Sequence, residues 1–144
     1  MESGARYRPK GKAFKQMGPV YRVFEGENQD FLSAVNEKLA NLPEMTTNIR
    51  NNLIGMYGTI KANFTYMSPI YFAGAVAFLY KYPKGPTKNN FTNENMDNYI
   101  NKNLLENPSS IPASVLKIRR KTEFLRYIRL VSKINDEIKN LQQM

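Results

Sequence analysis

Lys117, Arg119, Arg120 and Lys121, followed by Arg126, Arg129 and Lys133, put seven cations between Ser114 and Lys133, against Glu123 alone. A second basic cluster, Arg6, Arg8, Lys10, Lys12, Lys15 and Arg22 against Glu2, lies between Met1 and Phe24. The later segment sums to +6 and the earlier to +5, while residues 25–113 and 134–144 each sum to −1. The net +9 is therefore two basic segments on a nearly neutral body. Rows of guanidinium and ammonium groups meet phosphates, carboxylates or anionic lipid headgroups. On a helix, Lys117 to Lys133 would present a face able to follow phosphates, with Tyr127 among the cations. Arg6-Tyr7-Arg8, Lys10 and Lys12 would suit a chain tracking a backbone or a groove. Either segment alone reads as a solvated helix face or a solubilising tail. Together they point to an acidic partner: nucleic acid, an acidic protein or an anionic membrane surface.

Little else in the chain carries chemistry. Histidine and cysteine are absent, which removes the commonest general base, the usual activator of a nucleophile and the thiolate metal ligands. Gly55 and Gly58 sit inside a helical stripe, and the glycines near the N-terminus lack the Lys-Ser/Thr that ends a phosphate-binding loop. A serine nucleophile would need a lysine base, and nothing points to that pair. Asp136 and Glu137 are adjacent, so on a helix they diverge. Glu94 and Asp97 could share a face, but in an Asn-rich surface stretch. The expectation is a protein that is not an enzyme, with no cofactor and no metal.

The elements that would position the cations follow from apolar spacing. Ser68 to Tyr82, SPIYFAGAVAFLYKY, is the one long apolar run. Serine before proline is a strong helix start, and a helix apolar on every face belongs in a core. Ala73, Gly74, Ala75 and Ala77 allow close neighbours; Phe72, Val76, Phe78 and Leu79 fill space. Lys61 and Lys81 bound a stretch shorter than the roughly 20 apolar residues of a membrane span. The first residues, MESGARYRPKGKAFK, lack the apolar region of a signal peptide, so an intracellular setting is expected.

Around that centre, Asn28 or Asp30 opens a helix to about Leu42, with Phe31, Leu32, Val35 and Leu39 on its stripe. Thr46 or Thr47 caps a second, striped by Ile49, Leu53, Met56, Ile60 and Phe64, in which Gly55 and Gly58 would mark close contact with the central helix. After the break at Tyr82–Thr87, Thr92 caps a short helix with Met96, Tyr99, Ile100 and Leu104 inward. Ser114 starts a long last helix to about Gln142. Val115, Ile118, Leu125, Ile128, Val131, Ile134, Ile138 and Leu141 would form its buried stripe, with Lys117, Arg120, Lys121 and Arg129 facing away and a possible kink near Arg120 before Thr122. Residues 1–28, broken by Gly4, Pro9, Gly11, Gly18 and Pro19, read as an extended basic arm. Val20 to Phe24 would dock on the body or add a strand, with no sheet expected. The fold expected is all-α: a compact bundle of about five helices around a buried central helix, residues 29–144, led by the arm.

Tyr66 to Tyr82, YMSPIYFAGAVAFLYKY, and Phe124 to Ile134, FLRYIRLVSKI, resemble small basic proteins of large nucleocytoplasmic DNA viruses. The resemblance extends from about Phe31 and rests on hydrophobic helix patterns. It implies a viral protein, in the virion or the cytoplasm or nucleus of the infected cell, and carries over no catalytic residue. Two functions follow as expectations. One is a non-enzymatic module of a viral particle or gene-expression assembly, binding nucleic acid without sequence specificity through the two basic segments. The other is a structural protein bridging larger subunits.

Overall fold

A computed structural model of the chain describes residues 26–60, 64, 67–100 and 113–142, and in the last helix describes side chains from Ile118 onward. Its helices are α1 (Asn28–Leu39), α2 (Thr47–Tyr57), α3 (Pro69–Lys81), α4 (Asn93–Met96) and α5 (Ala113–Gln142). The fold is all-α, with no strand among the described residues. Arg6 to Lys15 and the Val20–Phe24 group lie outside the described residues.

Ser68 and Pro69 start α3 as their types dictate. The Ser68 hydroxyl accepts the Tyr71 N–H at 3.3 Å, and proline fills the first helical position, where no N–H is needed. Every residue from Tyr71 to Leu79 is buried. α1 covers one side with Phe31, Leu32, Val35 and Leu39, and α5 covers another. Two aromatic clusters hold the ends. Phe72 meets Phe31 and Phe64, each at 5.3 Å, and Tyr57 at 5.7 Å, edge-on in each case. Phe78 meets Tyr82 at 4.8 Å, Tyr99 at 5.4 Å and Phe124 at 5.7 Å. Such pairs add about 0.5–1.5 kcal/mol each beyond the area they bury. No described helix is long and apolar enough to cross a membrane.

The small-residue expectation holds at one position with a specific contact. A Cβ on Gly74 would lie 2.5 Å from Ile100 Cδ1 and 2.9 Å from the Tyr99 carbonyl oxygen. The close neighbour is thus the turn after α4. Gly55 and Gly58 do not behave as expected. Nothing lies within 4 Å of a Cβ on Gly55, and Gly58 is the C-cap of α2, near its own helix and Leu32. Thr46 caps α2, but the helix stops at Tyr57, so Ile60 and Phe64 reach the core from beyond it. Tyr57 is the buried residue of α2, donating to Asn135 Oδ1 at 2.6 Å, while Ile49, Leu53 and Met56 are half-buried. α1 ends at Leu39, three residues early, in tight turns that bond Asn41 N–H to Lys38 and Leu42 N–H to Leu39.

α5 runs without a break from Ala113 to Gln142, so Thr122 does not restart it; the Thr122 hydroxyl donates back to the Ile118 carbonyl at 2.9 Å. Its buried line is Phe124, Tyr127, Ile128, Val131, Ile134 and Ile138. Ile118 and Leu141, expected inside, are exposed, and Leu125 is half-buried. Tyr127 ties α5 to α3: its ring stacks on Tyr71 at 5.5 Å and its hydroxyl accepts the Ser68 N–H at 2.8 Å. The Asn-rich loop is a hydrogen-bonded scaffold. Asn90 Oδ1 accepts the Thr87 N–H at 2.7 Å, the Thr87 hydroxyl accepts the Asn90 N–H at 3.2 Å, and Thr92 caps α4 through the Asn95 N–H.

Gly74→Ala should destabilise the fold by about 1–3 kcal/mol through overpacking. Gly55→Ala, in open space within a helix, should stabilise it by about 0.5–1 kcal/mol. Urea unfolding of both variants checks the opposite signs. Burial lifts the Tyr57 and Tyr71 hydroxyls above the usual phenol range, and Tyr99 to about 12. Raised acids favour the fold fully below the unfolded phenol pKa of about 10. That contribution is lost as pH climbs from there through the native values. Helical circular dichroism should therefore fall above about pH 10, with the phenolate absorbance removed by Tyr57→Phe appearing together with that loss and not before it.

Candidate nucleic-acid interface

Three successive residues of α5 have three different fates. Sequence spacing places Arg120 among the outward cations, and the structure corrects this. Arg120 lies one turn before Phe124 on the same face, its side chain only 11 % exposed. Its Nη1 sits 2.7 Å from Asp97 Oδ1 and donates to the Ile100 carbonyl at 3.4 Å. The cause is the approach of Ile100 to Gly74, which leaves that carbonyl and Asp97 facing α5 where only a long cation can reach both. Arg119 is half-buried beside the outer face. Lys121 is exposed, with its ammonium 5.6 Å from the centre of the Phe91 ring.

Arg126, Arg129 and Lys133 are exposed. At about 100° per residue they fall within about 60° of one another around the axis, opposite the buried line, and Arg119 widens this arc only to about 80°. From Arg119 to Lys133 the stripe is about 21 Å long. Glu123 borders it, half-buried, accepting from Arg126 Nη1 at 2.7 Å. Arg129 and Lys133 have no carboxylate of the described residues at salt-bridge distance. Beyond Lys133 the outer face turns acidic at Asp136 and Glu137, both exposed. Lys117 has no described side chain, and Arg6, Arg8, Lys10, Lys12 and Lys15 lie outside the described residues.

The structure adds a cation that sequence spacing missed. Lys88 lies in the turn closed by the Phe91 N–H on the Thr87 carbonyl at 3.0 Å. Phe91 packs on Phe124 of α5 at 6.0 Å and carries Lys121 over its ring. Exposed Lys88 therefore belongs to the same corner of the molecule as Lys121. Phe91 brings the loop to α5 through Phe124 and Lys121, and a loop lysine gives no periodic signal of that.

A second feature is a groove where α2 and α5 diverge. Leu53, Met56, Leu79, Tyr80 and Ile138 line its inner part, about 370 Å³ in volume, and Asn135 and Asp136 edge it. Gly55 and Leu141 carry it outward. Among the described residues no group of three or more His, Cys, Asp or Glu could hold a metal ion. Compared with models of protein families, with curated proteins and with solved structures, the chain matches none.

Arg120→Ala should cost about 1–3 kcal/mol, since it strips a buried carbonyl and Asp97 of their partner. Arg126→Gln, at an exposed pair, should change stability by less than about 1 kcal/mol. Thermal melts of the two variants separate the structural cation from the surface one.

Proposed function

We propose that this chain is a non-enzymatic helical module that binds nucleic acid through phosphate contacts from the outer face of α5, without reading sequence. One observation carries this: Arg126, Arg129 and Lys133, with Arg119 beside them, stand on one arc of a helix whose opposite face is locked into the core. Anchoring of that kind fixes the spacing of the charges before any partner arrives, so little ordering of the backbone remains to be done on binding. Lys117 and the basic residues Arg6, Arg8, Lys10, Lys12 and Lys15 extend the footprint in this reading. Asn and Gln, the usual readers of adenine, are absent between Lys117 and Lys133. In keeping with the resemblance to small viral basic proteins, the module would act within a viral particle or a gene-expression assembly.

The second reading, a structural protein bridging larger subunits, is favoured by the groove between α2 and α5. Half-buried Leu53 and Met56 and exposed Tyr80 and Leu141 leave apolar surface there for a neighbour.

Fluorescence anisotropy across a range of salt decides between them. Log affinity should fall linearly with log salt, with a slope near −0.9 per phosphate neutralised. Changing Arg126, Arg129 and Lys133 together to Gln should flatten that slope by about two to three units with helicity unchanged. Absence of binding at low salt, or binding indifferent to the triple change, overturns the nucleic-acid reading and leaves the bridging one.

A further inference from the structure

Ile118 is 67 % exposed, on a helix that has buried apolar positions to offer. Its surroundings give the exposure a use. Ile118, Thr122, Leu125 and Arg129 fall within about 60° of one another on α5 and form an outward ridge. Apart from the Arg129 guanidinium the ridge offers few polar groups, because the Thr122 hydroxyl is turned back onto the Ile118 carbonyl. Cations flank it on both sides. Arg119, Arg126 and Lys133 lie along one flank, and Lys121 along the other, about 70° from the ridge centre in each direction. On the Lys121 side the Phe91 contact ties in the Thr87–Phe91 turn, which carries exposed Lys88.

A flat or single-stranded polyanion would engage one of these flanks at a time. We propose that the ridge of α5 enters the major groove of duplex DNA, with Lys88 and Lys121 against one phosphate wall and Arg119, Arg126 and Lys133 against the other. This rests on the nucleic-acid reading above and narrows its ligand to B-form duplex. The dimensions agree: a helix with its side chains is about 10–12 Å across, and the major groove is about 12 Å wide. Charge complementarity selects the occupant, since positive charge on both sides of an edge whose one charged member, Arg129, is itself a cation matches two negative walls beside a groove floor. Ile118 and Leu125 offer apolar contact of the kind thymine methyl groups accept, which tolerates many sequences. The contact ends where Asp136 and Glu137 begin, after about 22 Å from Ile118 to Lys133. A-form RNA has a deep, narrow major groove that would refuse the helix.

The test titrates the full chain with a labelled DNA duplex, an RNA duplex of the same sequence and the single DNA strand, at equal low salt. Duplex DNA should bind roughly tenfold or more tightly than either competitor. Dimethyl sulfate should be blocked at guanine N7, in the major groove, and not at adenine N3, in the minor groove. Ile118→Glu, at an exposed position, should weaken duplex DNA binding by roughly tenfold or more with an unchanged melting temperature. Asp136→Asn with Glu137→Gln should strengthen it. Equal binding to all three nucleic acids, or protection at adenine N3, overturns the groove proposal while leaving phosphate binding intact. Binding to none of them at low salt overturns both.

Discussion

α3 has no polar face, so it can exist in water only if other elements surround it, and that requirement organises the molecule. One close approach is at Gly74, where the absence of a side chain admits Ile100 and the carbonyl of Tyr99. That approach fixes the turn after α4. The turn in turn presents the Ile100 carbonyl and Asp97 to α5, where Arg120 takes both. The rotation of α5 about its axis follows from this, together with Phe124, Tyr127, Ile128 and Val131 against the core. With the inner face set, the outer face has no freedom left: Arg126, Arg129 and Lys133 must stand on the surface. The position of the surface charge is therefore a consequence of how tightly one glycine is covered.

Much of this was legible in the sequence where a local rule acts alone. Ser68 before Pro69, Thr46 and Thr92 are caps whose chemistry is complete within four residues. The stripe of Phe31, Leu32, Val35 and Leu39 is unambiguous, and a run without charge from Ile70 to Tyr80 has no place but the core. The reading failed where two patterns overlapped or where a partner was distant in the chain. In α5, Phe124, Leu125, Tyr127 and Ile128 are all apolar, so the stripe can be drawn about a quarter-turn off. Drawn that way, it takes in Ile118 and expels Arg120. The residue that decides is Asp97, which no periodicity connects with Arg120. Gly55 and Gly58 illustrate a different limit. Glycine in a helical stretch can mark close packing, an end, or neither, and here Gly58 is an end while Gly55 faces open space. At the candidate site the cations were visible as a group, but their division into one structural cation and an outer stripe was not, nor was the arrival of Lys88.

The short run Arg119, Arg120, Lys121 shows how strongly the register of a helix governs chemistry. Arg120 is a strut, its charge consumed by Asp97 and a backbone carbonyl. Lys121 keeps its ammonium at the surface over an aromatic ring, which orients it without neutralising it. A formal charge summed over a segment therefore overstates the charge offered to a partner. The acidic pair after Lys133 lowers it further along the same face, giving α5 a basic stretch with a defined end.

The bond between the Ser68 N–H and the Tyr127 hydroxyl joins residues 59 positions apart. Translation proceeds from the N-terminus at about 5–20 residues per second, so the start of α3 leaves the ribosome about 3–12 s before the part of α5 that covers it. During that interval the most apolar segment of the chain has only α1 and α2 for shelter. Nascent chains at this stage would be natural clients of ribosome-associated chaperones, and slowing of synthesis between Tyr82 and Tyr127 would lengthen the exposure.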